Sequence, residues 1–583
     1  MKREPLPAVS LPATCQAPVL PDAYARWDQD IRAALAATTG GISIASLALA
    51  WADWALHMIV SPGRQGKVAG QWCAGTLDDW AQPPFAERKA IAGDPRFAGP
   101  AWQQWPWCVW RDAFLRQETF WQALTSELDG VSPHHQRLAS FCARQWLDLA
   151  SPSNLWWLNP AVLAATANTF GGNFVQGASH WLEDVEDAVA QVCHLPAQRR
   201  NPDFVVGRNV AITPGKVIFR NDRMELIQYA PTTASVATEP LLIVPSWIMK
   251  YYILDLQPAD SLVRHAVARG NTVFMVSWKN PGDEARDVGL HDYLRDGLLE
   301  ALRVVRQQCG DARVQAAGYC LGGTLLAIAA AWLAREHRDD LSGVTLFATG
   351  TDFEVPGELG LFIDDSAFAT IDALMRRQGY LDGPQMTTAF QMLHARDLVW
   401  SRMLGEYLLG KRARPNDLIA WNRDTTRLPH RLHADTLRSL FLRNDLAEGR
   451  YCVGGEPIAL ADIAAPLFMV GTEHDHVTPW RSAYKLHLLT RGELTFVLTS
   501  GGHNAGIVSE PGHPRRRYRV ATRVPGARYR DPDRYLAEAT LHEGSWWPCW
   551  FDWLAGHASG QREARALPAD ALADAPGAYV LEP

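Results

Sequence analysis

VQAAGYCLGGTLLAIAAAWLARE, residues 314–336, decides the fold. Its opening is a short apolar run with the pattern of a buried parallel strand. Its end, LLAIAAAWLARE (325–336), reads as an Ala/Leu-rich helix. Between them stands Gly318-Tyr319-Cys320-Leu321-Gly322-Gly323. A strand that turns through Gly-x-nucleophile-x-Gly directly into a helix is the nucleophile elbow of an α/β-hydrolase fold, here with Cys in place of Ser. The nucleophile must sit on a tight turn, and flanking glycines let neighbouring backbone approach closely. The helix beginning after Cys320 directs its partial positive end at the sulfur, which favours the thiolate. The same geometry places the Leu321 N–H to bind an oxyanion. The other eight cysteines lack this context and read as packing residues.

The surrounding sequence repeats the strand–helix rhythm. VIFR (217–220) and LIQYA (226–230) flank the polar NDRME and form a hairpin pattern. LLIVP (241–245), TVFMVSW (272–278), GVTLFAT (343–349), PLFMVGT (466–472) and LTFVLTS (494–500) are short apolar runs of strand length. Helix-like stretches at 258–269, 291–308 and 480–490 separate them. Such alternation predicts a parallel α/β sheet. Residues 354–450 break the rhythm and read as a mostly helical inserted cap.

A hydrolase-type triad runs nucleophile, acid, histidine along the chain. The acid is expected just after a late strand, where PLFMVGTEHDHVTP places Asp475, with Glu473 as the alternative. The histidine is expected after the next strand, where LTFVLTSGGHNAG supplies His503. His474 and His476 flank the acid and read as ordinary loop histidines. In this arrangement His503 removes the thiol proton and later serves an attacking hydroxyl, while Asp475 orients the imidazole. A second oxyanion donor is expected from the loop after LLIVP, Ser246-Trp247-Ile248; Trp247 is the working choice, with its two neighbours still open.

Cysteine at the elbow bears on the reaction class. A thiolate is a good nucleophile toward thioesters, and thiol–thioester exchange is nearly balanced in energy. The acyl group on Cys stays activated for a further acceptor, which favours acyl transfer from an acyl-CoA over plain hydrolysis.

The chain has 583 residues, long enough for two or three domains. A net charge of −7 without a basic stripe argues against a dedicated nucleic-acid binder. Nine cysteines, odd in number and without C-x-x-C, argue against a disulfide framework or zinc site and fit a reducing cytoplasm. No other metal is implied. The N-terminus carries two prolines where a signal peptide needs an apolar core. Residues 1–25 are Pro/Ala-rich and read as loose, and 26–202 read as helical, with a short module at 26–68 and a larger helical domain at 69–202. The catalytic domain is expected over 203–583. ISIASLALAWADWALHMIV (42–60) approaches membrane-spanning length, but Asp53 and His57 share one of its faces. Charged groups at mid-membrane are expensive, so an amphipathic, protein-packed helix is expected rather than a transmembrane one. The 24 Trp are an unusual number and suggest contact with something apolar.

Taken together, these stretches resemble the polyhydroxyalkanoate synthases, also called poly(3-hydroxybutyrate) polymerases, over roughly residue 26 to the C-terminus. The resemblance is carried by PGKVIFRNDRMELIQY (214–229), PSWIMKYYILDLQPADSLVRHAVARGNTVFMVSWKNP (245–281), GYCLGG (318–323), NDLIAWNRDTTRLP (416–429), GTEHDHVTPW (471–480) and GSWWPCWFDWLAG (544–556). TTGGISIASLALAWADWALHMIVSPGRQ (38–65) resembles a short N-terminal module found in part of the family; RFAGPAWQQWPW (96–107) and VSPHHQRL (131–138) resemble its N-terminal domain. The resemblance implies Cys320 as acyl carrier, His503 as base and Asp475 as acid, with Asp475 also helping to activate the hydroxyl. It implies (R)-3-hydroxyacyl-CoA as substrate, with CoA arriving on the substrate and no separate cofactor. The partners it implies are a growing polyester chain, the surface of a cytoplasmic polymer granule, granule-associated proteins and a second copy of the chain, contacted through the cap. Size and a single complete triad lean to the short-chain, single-subunit class and 3-hydroxybutyryl-CoA. Trp421 and Asp255 fall in matching motifs and read as structural. Ser246, Met249 and Asn504 depart from the family pattern, where Pro, Asn and an aliphatic residue are more usual. Two other readings remain to be separated from this one: a Cys-type thioester or polyester hydrolase, and a granule-coating protein with a silent site.

Overall fold

The computed structural model describes residues 23–81, 83, 94–192, 203–383, 385–386, 399–412 and 416–583. Most of the loose segment expected at 1–25 lies outside these residues; Ala23 already opens the first helix, Ala23–Thr38.

An eleven-stranded sheet forms the centre of the molecule. In chain order its strands are β1 (Gly215–Arg220), β2 (Met224–Tyr229), β3 (Leu241–Val244), β4 (Val273–Trp278), β5 (Val314–Tyr319), β6 (Leu341–Phe347), β7 (Leu467–Thr472), β8 (Leu494–Thr499), β9 (Arg517–Arg523), β10 (Thr540–Glu543) and β11 (Ala573–Asp574). Across the sheet the order is β10-β9-β8-β7-β6-β5-β3-β4-β2-β1-β11. The six central strands, β4, β3, β5, β6, β7 and β8, run parallel, and the flanking pairs are antiparallel. The expected hairpin is the β1–β2 pair, and each expected apolar run became a buried central strand.

Both faces of the centre of this sheet are covered, which is why its six parallel strands are largely apolar along their length. Leu242 and Val244 of β3 enter one apolar cluster, while Leu241 and Ile243 enter the other. Strand β7 divides the same way, Leu467 and Met469 against Phe468 and Val470. The register sets Val244 beside Gly318, Tyr319 beside Phe347, and Thr472 beside Thr499. The loops after β3, β5, β7 and β8 therefore leave one edge of the sheet, where ligands of parallel α/β sheets bind.

Seven helices precede the sheet among the described residues. The helix Ile44–Ile59 does not stand alone: Asp53 Oδ2 accepts from His135 Nδ1 at 2.7 Å, and His57 Nδ1 lies 3.1 Å from Asp53 Oδ1. Its ionisable face is thus spent on the neighbouring helix Pro133–Leu149. Among the described residues no single helix is long and apolar enough to cross a membrane.

The insertion after β6 carries the helices Asp365–Gln378, Asp417–Asn422 and His430–Asp435. N-terminal helices hold this cap at two places. Ser46 Oγ donates to Asp364 Oδ1 at 2.8 Å, and His134 Nε2 lies 3.2 Å from Asp364 Oδ2. Farther along, Arg402 and the Tyr407 hydroxyl meet Asp184 at 2.6 and 2.7 Å, and Arg412 meets Glu183 at 2.6 Å.

Candidate active site

Strand β5 ends at Tyr319 and the helix Leu321–Arg335 begins two residues later, leaving Cys320 alone at the turn. Its backbone takes φ 54° and ψ −126°, a sparsely populated conformation for a residue with a Cβ. The turn is held from both sides. Cys320 N–H donates to Phe347 O at 2.9 Å, and Cys320 O accepts from Gly323 N–H at 2.9 Å.

The three glycines of the motif are required sterically. A Cβ on Gly318 would lie 2.4 Å from Gly323 Cα, and one on Gly323 only 1.9 Å from Thr349 Oγ1. A Cβ on Gly322 would lie 2.4 Å from the carbonyl oxygens of both Val244 and Pro245. That last contact also locates the loop after β3: it passes directly beside the first turn of the elbow helix. The first N–H groups of that helix have no intrahelical partner. Within the adjacent loop, Ile248 N–H donates to Ser246 Oγ at 3.3 Å, so this amide is engaged locally. Thr426, from the cap, fixes the loop by donating its hydroxyl to Trp247 O at 2.7 Å.

His503 and Asp475 meet across the edge of the sheet. His503 Nδ1 lies 2.9 Å from Asp475 Oδ2 and 3.1 Å from Oδ1. Asp475 is enclosed: it accepts from Thr472 Oγ1 at 3.2 Å and from the backbone N–H groups of Val477 and Thr478 at 2.9 and 2.7 Å. Glu473 points elsewhere, to Arg517 Nη2 at 3.3 Å. The ring that meets Asp475 is that of His503, neither flanking histidine. Burial alone lowers the pKa of His503, but the Asp475 carboxylate and the Cys320 sulfur beside it raise it to about 10.

Two supports of the site are not evident from the motifs. One is the tryptophan run near the C-terminus. Trp546 and Trp547 are buried, and their Nε1 groups donate to Gly506 O at 3.0 Å and Ile507 O at 2.9 Å. Trp550 Nε1 donates to Thr345 Oγ1 of β6 at 2.9 Å. These tryptophans thus underpin the loop that carries His503. The doublet in GSWWPCW is visible in the sequence, but nothing in it says which carbonyls it reaches. The other support is Tyr319, whose ring lies 5.7 Å from that of His503. Some Trp residues of the N-terminal half differ from this buried set: Trp27, Trp146 and Trp157 are more than half exposed, at 66%, 70% and 52%, whereas Trp102 is buried. Among the described residues no group of His, Cys, Asp and Glu is arranged to hold a metal ion.

Sheet order and elbow together define an α/β-hydrolase-fold protein, and a family model described as alpha/beta hydrolase fold matches residues 239–510. Two further models match ahead of it: poly-beta-hydroxybutyrate polymerase N terminal over residues 22–64, and poly-beta-hydroxybutyrate polymerase (PhaC) N-terminus over residues 93–266. The chain is 40% identical over 493 residues to a poly(3-hydroxyalkanoate) polymerase of Methylorubrum extorquens, covering 84% of this chain and 80% of that one. It is 34% identical over 536 residues to the poly(3-hydroxyalkanoate) polymerase subunit PhaC of Cupriavidus necator, covering 89% of each. The chain belongs to the poly(3-hydroxyalkanoate) polymerase family. Among solved structures, a monoacylglycerol lipase of Paleococcus ferrophilus is matched at 12% identity and a TM-score of 0.29, covering 57% of this chain and 99% of that one.

Proposed function

We propose that this chain is an acyltransferase that polymerises (R)-3-hydroxyacyl-CoA, 3-hydroxybutyryl-CoA foremost, into polyhydroxyalkanoate with release of CoA. Family membership supports the overall reaction, and the His503–Asp475 pair at the cysteine elbow is the observation that carries the mechanism.

In this reading the Cys320 thiolate attacks the thioester carbonyl carbon of the substrate. The carbonyl oxygen becomes an oxyanion facing the Leu321 N–H and a second amide from the Ser246-Trp247 pair. Trp247 remains the choice there, and the local engagement of Ile248 supports it. The carbon–sulfur bond to CoA then breaks, and His503 donates its proton to the departing CoA sulfur. The 3-hydroxyl of a Cys-bound unit next gives its proton to His503 and attacks another acyl thioester. One ester bond forms, the carbon–sulfur bond of the attacked acyl-CoA breaks, His503 passes the proton to the departing CoA sulfur, and the chain is one unit longer. Asp475 has both oxygens occupied by hydrogen bonds, which favours a role through His503 over direct contact with the hydroxyl. CoA enters as part of the substrate, and the mechanism uses no other cofactor.

The exposed aromatic and aliphatic side chains of the N-terminal helices suit an apolar polymer surface. We assign the working enzyme to the surface of cytoplasmic polymer granules, as a homodimer formed through the cap and open to granule-associated proteins.

Butyryl-CoA tests the first half-reaction, because it has no 3-hydroxyl and cannot extend the chain. Mass spectrometry of the protein after exposure to it is expected to find a butyryl group on the Cys320 peptide. A label on another residue, or none, would overturn the assignment of the acyl carrier.

A further inference from the structure

Asn504, the residue after His503, joins three parts of the site through one amide. Its Oδ1 accepts from the Tyr319 hydroxyl at 2.5 Å, and its Nδ2 donates to Asn422 Oδ1 at 3.2 Å. Tyr319 immediately precedes Cys320 and is buried. Its ring is tilted 36° to the imidazole of His503. Asn422 is the last residue of the cap helix Asp417–Asn422. Leu418 and Trp421 of that helix share an apolar cluster with Tyr319 and Cys320. Trp421 Nε1 also donates to Lys250 O at 2.8 Å, beyond the loop that follows β3.

The cap helix is therefore seated by its buried face through Trp421. Just past its C-terminal end, Asp424 accepts from the Tyr252 hydroxyl at 2.9 Å and Thr426 donates to Trp247 O of the loop after β3; Asn422 adds the link to the His503 loop. Only a side chain with both an acceptor and a donor makes this link: the amide takes the tyrosine proton on its oxygen and offers its nitrogen to the cap. An aliphatic residue at 504 would do neither. It would leave the Tyr319 hydroxyl, held in its neutral form by burial, without this partner.

We infer that Asn504 is a positioning residue that ties the cap helix 417–422 to the His503 loop and fixes Tyr319 against the imidazole. This rests on Cys320 and His503 being the reacting pair. Cutting the Asn422 link loosens the cap helix that packs in the same apolar cluster as Cys320, and releasing Tyr319 changes the surroundings of the imidazole. The two links have separable effects, because Asn422 touches only the first.

Alkylation of Cys320 by iodoacetamide, followed on its peptide by mass spectrometry over a pH series, reads both effects without any turnover. Wild type is compared with Asn422→Ala, Tyr319→Phe, Asn504→Leu and the Asn422→Ala/Asn504→Leu double variant. Asn422→Ala and Asn504→Leu are expected to raise the alkylation rate by about tenfold, the scale of one lost hydrogen bond. Tyr319→Phe and Asn504→Leu are expected to displace the pH midpoint, and Asn422→Ala to leave it in place. The double variant is expected to match Asn504→Leu, since both changes cut the same link. Under turnover, Asn422→Ala is expected to change KM for the acyl-CoA with little change in kcat. Wild-type rates and midpoints in Asn422→Ala and Asn504→Leu, or fully additive effects, would overturn the inference. Asn422 is exposed, so its variant keeps the test in force if Asn504→Leu fails to fold. A wild-type Cys320 no more reactive than the other cysteines would overturn the reacting-pair assignment itself, and the inference with it.

Discussion

His503 Nδ1 sits 2.9 Å from Asp475 Oδ2, and the side chain of Asp475 has no exposed surface. The carboxyl group is thus held in place, enclosed by the imidazole and its hydrogen-bond donors. It opposes the burial that lowers the pKa of His503, and together with Cys320 brings it to about 10.

The consequence for pH follows from that direction. A raised histidine contributes its stabilisation fully below its unfolded value, near pH 6.5, and loses it as pH rises through about 10. This direction keeps the proton on His503 through the neutral range, as the proposed protonation of the departing CoA sulfur requires. The alkaline limb of CoA release is expected near pH 10. In Asp475→Asn, burial acts on His503 with less to oppose it, so the limb is expected to move to lower pH and kcat/KM to fall by about 10³–10⁴-fold. An unmoved limb would show that another group sets it.

Gly322 permits a close backbone approach between the elbow helix and the loop after β3, and Gly322→Ala tests it. The added methyl would press on the Val244 and Pro245 carbonyl oxygens. Either the elbow helix or the loop after β3 must shift. A loss of about 3 kcal/mol of stability is expected, together with loss of CoA release. Thermal unfolding at the wild-type midpoint would mean that the helix does not lie against this loop.

The buried tryptophans below the His503 loop make a separate prediction. Trp546→Phe keeps the ring in the core but removes the donor to Gly506 O. A buried carbonyl left without its partner costs about 1–3 kcal/mol. The unfolding midpoint is expected to fall, and CoA release to fall with it, because Gly506 lies three residues from His503. Activity at the wild-type level with a lowered midpoint would separate this support from the site.

The exposed apolar residues of the first two helices predict an adhesion phenotype. Trp27→Asp and Leu56→Asp alter side chains that are 66% and 65% exposed. Changes at such positions usually stay within about 0.5 kcal/mol of stability. Co-sedimentation with amorphous polyester particles is expected to weaken while the unfolding midpoint holds. Retained adhesion in the double variant would place the polymer contact elsewhere.

The parallel core was legible because a strand buried on both faces must be apolar along its whole length, as LLIVP and PLFMVGT are. The elbow was legible because only glycine fits where Gly322 and Gly323 stand. Asp475 and His503 were legible from their order after β7 and β8, and the structure brings these two together while turning Glu473 toward Arg517. Strands β9 and β10 were not seen. RYRVATR and TLHE mix charges with apolar residues, as antiparallel strands near a sheet edge do. Nor could the sequence separate two kinds of tryptophan. Trp546 and Trp27 look alike as letters, and only packing makes one a strut under the His503 loop and the other an open surface.

The most direct test is CoA release by the purified chain given (R)-3-hydroxybutyryl-CoA, run beside Cys320→Ala, with the insoluble product weighed. Wild type is expected to release CoA and deposit polyester, and Cys320→Ala to do neither. CoA release with only soluble hydroxyacid would make the chain a thioesterase, and polymer formation by Cys320→Ala would contradict a Cys320-bound intermediate outright.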